Sequence, residues 1–223
     1  LRGEIDADIQ TADLDFLNGE ISAHNFTIAN AKEQFILDSI NVVAVSTLEK
    51  NEISLKSQFL NAQILGKYKL SKIGNALSNS ISKYYNSNPK SKKINVAKQQ
   101  LAFNIDVKSS PILFKLVPEL KSLEPINISG RYNSENDTIV LNGKIPKVIY
   151  GTNIISNAVV TIGTKDNALT YNLLVNNIEN PQFQLPHTFI FGKVENNTID
   201  YTLQLKDLKD VERYVIAGTL KTA

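Results

Sequence analysis

Leu101-Ala102-Phe103-Asn104-Ile105-Asp106-Val107-Lys108 is the stretch on which the fold turns. Its large apolar residues fall on every second position, so an extended chain puts Leu101, Phe103, Ile105 and Val107 on one face and Asn104, Asp106 and Lys108 on the other. A helix would scatter the same residues around its circumference. The alternation recurs in Ile53, Leu55, Ser57 and Phe59, in Leu169, Tyr171, Leu173 and Val175, and in Ile199, Tyr201, Leu203 and Leu205. Half-buried antiparallel strands, apolar on one face and wet on the other, follow from this pattern. Turn signals separate them at Asn18-Gly19, Glu49 to Asn51, Asn133 to Asp137, Lys165 to Asn167 and Glu195 to Asn197. The expected fold class is all-β, mainly an antiparallel meander.

Two stretches break the period. From Ser71 to Asn86, Ile73, Ala76, Leu77, Ile81, Tyr84 and Tyr85 recur at helical spacing, with Ser71 placed to cap an amphipathic helix. From Ser110 to Leu123, Pro111 stands at a first helical position and Leu113, Leu116, Leu120 and Leu123 follow, with Pro118 set to divide the segment. Each helix is expected to lie across the end of a sheet. Asn86 to Lys93, built of Asn, Ser, Pro, Lys and Tyr-free, is the linker candidate. It divides the chain into a first sheet segment, 1–86, and a second, 87–223, with its short helix near 111–123, or leaves one continuous sheet. Ile64-Leu65-Gly66-Lys67-Tyr68 and Ile128-Ser129-Gly130-Arg131-Tyr132 echo one another and read as equivalent strands.

The chain has 223 residues, 42% hydrophobic and 21% charged, which suits a globular domain able to bury its own core. No apolar run approaches the roughly 20 residues of a membrane-spanning helix. Met is absent even from position 1, so the chain is expected to be a segment of a longer protein. Formal charge is +2, but it is uneven. From Ile53 to Ile105 there is no acidic residue, while Lys56, Lys67, Lys69, Lys72, Lys83, Lys90, Lys92, Lys93 and Lys98 lie inside. Such a belt can meet phosphates or merely solvate a helix and its linker. The second reading is the simpler, since the belt has no Arg and only Tyr84-Tyr85 as an aromatic pair, unlike a nucleic-acid surface. No nucleic-acid partner is expected.

Reactive constellations are sparse. Cys is absent, and His24 and His187 are the only histidines, so neither a thiolate centre nor a His-rich metal site can form. Gly-x-Ser-x-Gly, Gly-x-Gly-x-x-Gly and phosphate-loop patterns do not occur. Asp6/Asp8 and Asp13/Asp15 are spaced to share a strand face, as in a glycosidase or calcium site, but an exposed polar edge explains them more simply. The expectation is no enzyme, no cofactor and no metal. What remains is the apolar face, which is core in a closed β-sandwich and an exposed groove in an open, curved sheet; periodicity does not separate the two.

A resemblance bears on that choice. The strand Phe35 to Ile40, the run from Ile53 to Tyr68 leading into the helix Leu70 to Tyr85, and the later Ile126 to Tyr132, Leu141 to Pro146 and Val148 to Gly151 resemble interior segments of TamB-like proteins of the AsmA-like group, in their Bacteroidota form. The likeness covers most of the chain through soft strand patterns. It implies a curved, taco-like open sheet whose concave apolar groove conducts phospholipid between the inner and outer membranes. The parent would be an inner-membrane-anchored periplasmic protein, linked to outer-membrane protein assembly through a TamA-type barrel that meets other parts of it. On that reading the groove residues are Leu101, Phe103, Ile105, Leu169, Tyr171, Leu173, Tyr201, Leu203 and Leu205, which contact phospholipid acyl chains. A closed sandwich serving as a structural or adhesive surface module is the alternative.

Overall fold

The computed structural model describes residues 2–29, 34–86 and 94–221. Strands β1 (Arg2–Asp13), β2 (Phe16–Ala29), β3 (Gln34–Ser46), β4 (Asn51–Ser57) and β5 (Leu60–Lys67) lead into helix α1 (Leu70–Tyr84). Then follow β6 (Gln100–Val107), α2 (Pro111–Leu116), β7 (Leu120–Leu123), β8 (Ile126–Asn133) and β9 (Thr138–Tyr150). The chain ends in β10 (Asn153–Lys165), β11 (Ala168–Asn180), β12 (Phe183–Glu195), β13 (Thr198–Lys206) and β14 (Glu212–Lys221). All fourteen strands belong to one antiparallel sheet in meander order, with β7 joined to β9 beyond the end of β8. Strand occupies 69% of the chain, and the sheet is open, with β1 and β14 at its two edges. The closed sandwich is therefore not formed: among the described residues every strand belongs to this one sheet, and no second sheet packs on its apolar face. β5 and β6 pair over their whole length, so one sheet runs through the division at 86/87; the linker residues 87–93 lie outside the described residues.

Among the described residues every hairpin turn lies at one of two rims. The lower rim carries the β1–β2, β3–β4, β8–β9, β10–β11 and β12–β13 turns and both ends of the α1 excursion, and the upper rim carries the others. At the lower rim, Ser71 of α1 donates its N–H and its hydroxyl to Asp15 in the β1–β2 turn, at 2.9 and 2.8 Å. At the far end of α1, Asn197 of the β12–β13 turn donates its N–H to the Tyr84 carbonyl at 2.9 Å. Along the sheet, β2 and β12 are nine hydrogen-bonded steps apart, about 43 Å of arc at about 4.8 Å per step. The helix from Ser71 to Tyr84 is only about 20 Å long. A chord half the length of its arc requires a strongly curled rim. α1 packs on the Ile64, Leu101, Phe103, Tyr132 and Ile139 face, so that face is the concave one.

A crease crosses the strands at constant height. It passes through Asn25 opposite Asp38 and through Pro146, Asn157, Asn176 and His187 on adjacent strands, positions at which the cross-strand pairing is skipped. Each lies eight or nine residues above its lower-rim end, as Thr138 to Pro146, Lys165 to Asn157 and Glu195 to His187 illustrate. On alternate strands the crease residue is left-handed: Asn25, Asn157 and His187 have φ of 53°, 51° and 42°. Asn tolerates this region because its short polar side chain bonds locally. The apolar phase slips at the crease by one residue, from Ile145 and Ala158 below to Val148 and Ile155 above, and from Ala23 and Ile40 to Phe26 and Leu37. Leu37 is buried while Ile36 is exposed, so the slip keeps one face apolar across the bend. The short strands β4, β5, β6 and β8 stop at crease height. Above them, α2 and β7 fill the gap, and Gln58 accepts the Asp38 N–H at 2.9 Å.

Three sequence expectations are corrected. Asn18-Gly19 is no turn; it lies inside β2, the turn being Leu14-Asp15. Gly19 is needed there for close approach, since a Cβ would meet the Asp8 carbonyl oxygen at 2.5 Å and φ is +152°. Ser71 is not the α1 cap, a place taken by Lys69, but a partner of Asp15. The second helix stops at Leu116, two residues before Pro118, and Leu120 to Leu123 become β7 because they extend the sheet along β9.

Candidate functional site

Residues paired directly across antiparallel strands point to the same face, so the register reads out each face strand by strand. One such row runs Ile9, Gly19, Ala44, Ile53, Ile64, Phe103, Gly130, Leu141, Ile162, Tyr171, Gly192, Tyr201, Gly218. No charged residue, amide or aliphatic hydroxyl interrupts it. The row one residue away, on the convex face, runs Asp8, Glu20, Val43, Ser54, Gln63, Asn104, Ser129, Asn142, Thr161, Asn172, Phe191, Thr202, Ala217. It is mostly polar. All nine residues singled out from the sequence, Leu101, Phe103, Ile105, Leu169, Tyr171, Leu173, Tyr201, Leu203 and Leu205, share the concave apolar face by this register. Sequence reading missed the continuation of that face onto β14, with Tyr214, Ile216 and Leu220, and onto β1, with Ile5 and Ile9. The alternation of Tyr214, Ile216, Gly218 and Leu220 was the available signal.

Glycine on one strand lets an aromatic ring on the next lie flat. A Cβ on Gly130 would sit 2.6 Å from the Phe103 ring, one on Gly192 would sit 2.7 Å from the Tyr171 hydroxyl, and one on Gly218 would sit 2.5 Å from the Tyr201 hydroxyl. Each glycine is the direct cross-strand partner of the ring that covers it. Tyr171 thereby crosses β12 and donates to the Asp200 carbonyl at 3.0 Å, which removes its hydroxyl from the apolar surface. Burial, with the Asp200 carboxylate nearby, raises its pKa and keeps it a donor. The floor of the trough is thus low and smooth where these rings lie.

The same face is covered at its lower end by α1. Tyr68, Ala76, Leu101 and Tyr132 form a buried cluster there, with Ile64, Leu70, Ile73, Leu77, Val96, Phe103 and Ile139 packed around it. The two echo motifs supply Tyr68, just past the end of β5, and Tyr132, in β8, on either side of β6. Ser80 bonds the Tyr132 hydroxyl at 3.0 Å and donates to Asp137 at 2.8 Å, while Tyr84 donates to the Asp137 carbonyl at 3.1 Å. Gln99, 1% exposed, accepts from the Lys69 N–H at 2.7 Å and receives the Ser134 N–H on its carbonyl at 2.9 Å. Burial pushes the Tyr68 hydroxyl up to about 12 and raises Tyr84 and Tyr132 as well. Leu101 and Phe103 therefore serve α1 as core, whereas Leu169, Leu173, Tyr201, Leu203 and Leu205 are half-buried along the uncovered floor.

The remaining candidates fall elsewhere. Asp6 and Asp8 project from the polar face of β1, and Asp15 is held by Ser71, whose N–H is the main cause of its lowered pKa. His187 Nδ1 lies 3.1 Å from Asp210, and His24 lies between Glu4 and Ser39 on β2. Among the described residues no three potential metal ligands come together, and no helix is long and apolar enough to cross a membrane. Of the lysine belt, Lys67, Lys83 and Lys98 pair with Glu49, Asp137 and Glu135 from outside it; Lys90, Lys92 and Lys93 lie outside the described residues. Comparison of the chain with known protein families, with curated proteins and with solved structures gives no match.

Proposed function

We propose that this chain is a non-enzymatic segment of a periplasmic bridge that conducts phospholipid between the inner and outer membranes. The observation that carries the reading is the uninterrupted apolar row across thirteen strands of an open, curled sheet, backed by a polar convex face. A trough of this kind exchanges water for acyl chain at about 0.8 kcal/mol per methylene and regains the same amount at each step along a uniform floor. Headgroups would stay at the open, wet side. The resemblance to TamB-like proteins supports the periplasmic setting, and it supports the link to outer-membrane protein assembly through a TamA-type barrel reached by other parts of the parent.

Mass spectrometry of an organic extract of the purified chain tests this. Near-stoichiometric phospholipid is expected from the wild type and much less from Leu203→Asp, which places a carboxylate on the uncovered floor without touching the α1 cluster. A clean extract from well-folded wild-type protein would remove the basis for the reading.

A further inference from the structure

The two rims differ in what their turns present. From β8 to β13 the lower-rim turns are wholly polar: Ser134 to Asp137, Asp166-Asn167 and Asn196-Asn197. At the upper rim the matching turns carry large apolar side chains into solvent. Tyr150 ends β9 and is 51% exposed, Phe183 opens β12 at 46%, and Leu208 in the β13–β14 turn stands at 73%. Leu116 and Val117, at the tip of α2, are exposed beside Tyr150, since the Gly151 N–H donates to the Glu119 carbonyl at 2.7 Å. Exposed apolar side chains do occur at the lower rim, but Leu14 and Leu48 lie on the β1–β2 and β3–β4 turns, outside this half of the sheet, and Ile94, 54% exposed, lies on the segment entering β6 and not on a hairpin tip.

We infer that the upper rim of the β8–β14 half docks onto a lipid bilayer surface, with Tyr150, Phe183 and Leu208 dipping into the interfacial zone. Spacing argues for lipid over protein. Successive hairpin tips are two strands apart, about 10 Å; Leu116 and Val117 flank Tyr150 at the first, while Phe183 and Leu208 each stand alone at theirs. A rigid partner would leave gaps between them, because protein interfaces need a packed, complementary core. A bilayer fills such gaps. Charge argues for apolar insertion over headgroup attraction: Lys147, Lys209 and Arg213 on this rim are balanced by Glu179, Asp207 and Asp210. The apolar face above the crease, with Val148, Ile155, Ile178 and Leu185, meets the same rim, whereas α1 covers the opposite end of the floor. The inference rests on the rim alone and does not require that the trough carry lipid.

The chain has no Trp, so single reporters can be introduced without background. Phe183→Trp and Leu208→Trp report the upper rim, and Asn167→Trp reports the lower. They are mixed with phosphatidylcholine vesicles, with and without a phosphatidylglycerol fraction, including vesicles whose acyl chains are brominated. Blue-shifted emission and quenching by bromine are expected for both upper-rim reporters and not for Asn167→Trp. Binding should persist at about 0.5 M NaCl, where screening removes exposed ion-pair attraction. It should fall about tenfold for each apolar tip changed to Ser. Circular dichroism shows which reporter variants keep the fold, and two upper-rim positions guard against one that does not. Equal quenching at both rims, loss of binding in salt, or no response from folded upper-rim reporters overturns the proposal; the last outcome leaves the tips to a protein partner.

Discussion

The floor beneath α1 and the floor from β10 to β14 are built from the same alternation, yet they are different materials. Leu101 and Tyr132 are 7% and 5% exposed, while Ile190 and Ile216, on the same concave face, are 36% and 57% exposed; beyond α1 that face closes to this degree at the crease, where Ala158 and Val175 are 4% and 5% exposed. Strand pattern sets which residues share a face. Whether that face is core or open surface depends on what the chain lays across it, here one amphipathic helix of fifteen residues.

The sharpest way to break this comparison is a matched pair of charges. Leu101→Asp places a carboxylate under α1 without a partner and should cost several kcal/mol, enough to unfold a domain of ordinary stability. Leu203→Asp leaves its carboxylate in reach of water and should cost about 1–2 kcal/mol. Equal losses in urea unfolding would mean that the uncovered floor is core after all. Phe103→Asp is a poor probe of the trough, because Phe103 packs against the α1 cluster and covers Gly130.

A smaller effect tests the crease, which lies beyond α1. Asn157→Val forces a β-branched residue into left-handed backbone and should destabilise by about 1–2 kcal/mol, whereas Asn157→Gly should be neutral or slightly stabilising. If Val is tolerated as well as Gly, the left-handed conformation does not shape the sheet.

pH probes the covered region through Tyr68, with Tyr171 on the uncovered floor, raised in the same direction, as its comparison. Tyr68 has a folded value pushed up to about 12, above its ordinary 10, so its contribution is complete below pH 10 and is lost progressively as pH rises from 10 towards 12. Tyr84 and Tyr132 shift in the same direction. Alkaline unfolding followed by tyrosinate absorbance should therefore release these three rings late and together with loss of α1. Tyr68→Phe should shift that loss to higher pH. The smallest effect is at the start of α1. Asp15 is lowered by the Ser71 hydrogen bonds, so its contribution is present above about pH 4 and is lost as pH falls below it. The protection factor of the Ser71 amide, its exchange relative to an unstructured amide at the same pH, should fall in acid, and Asp15→Asn should abolish that pH step.

Period two in Leu101 to Val107, Leu169 to Val175 and Ile199 to Leu205 was enough to recover β6, β11 and β13 and to put the nine residues singled out on one face. Helical spacing located α1 to within about two residues at either end. The crease was not legible, because a phase slip looks like the end of a strand when read locally. Ile145-Pro146-Lys147-Val148 reads as a stop, yet Pro146 sits inside β9, in a slot where pairing is skipped and no ladder bond is lost. Leu120 and Leu123 fit a helix as well as a strand; only the free edge of β9 above β8 decides for the strand. The register of α1 across the floor was equally hidden, since it is fixed by Asp15, Asp137 and Asn197, which are distant in sequence.

The crease gives each long hairpin a fixed punctuation. β9–β10 and β11–β12 both rise eight residues from the lower turn to the crease residue and then continue a few residues to the upper rim. A copy of either hairpin, inserted beside the original, would meet its neighbours with bend and apolar phase already aligned, and β11–β12 would bring its own glycine-under-ring pair, Gly192 beneath Tyr171. The unit of inheritance in such a wall is the strand pair. Duplication or deletion can then change the width of the sheet by two strands at a time without redesigning its face, whereas a single-residue insertion below the crease would turn that strand's apolar row to the convex side.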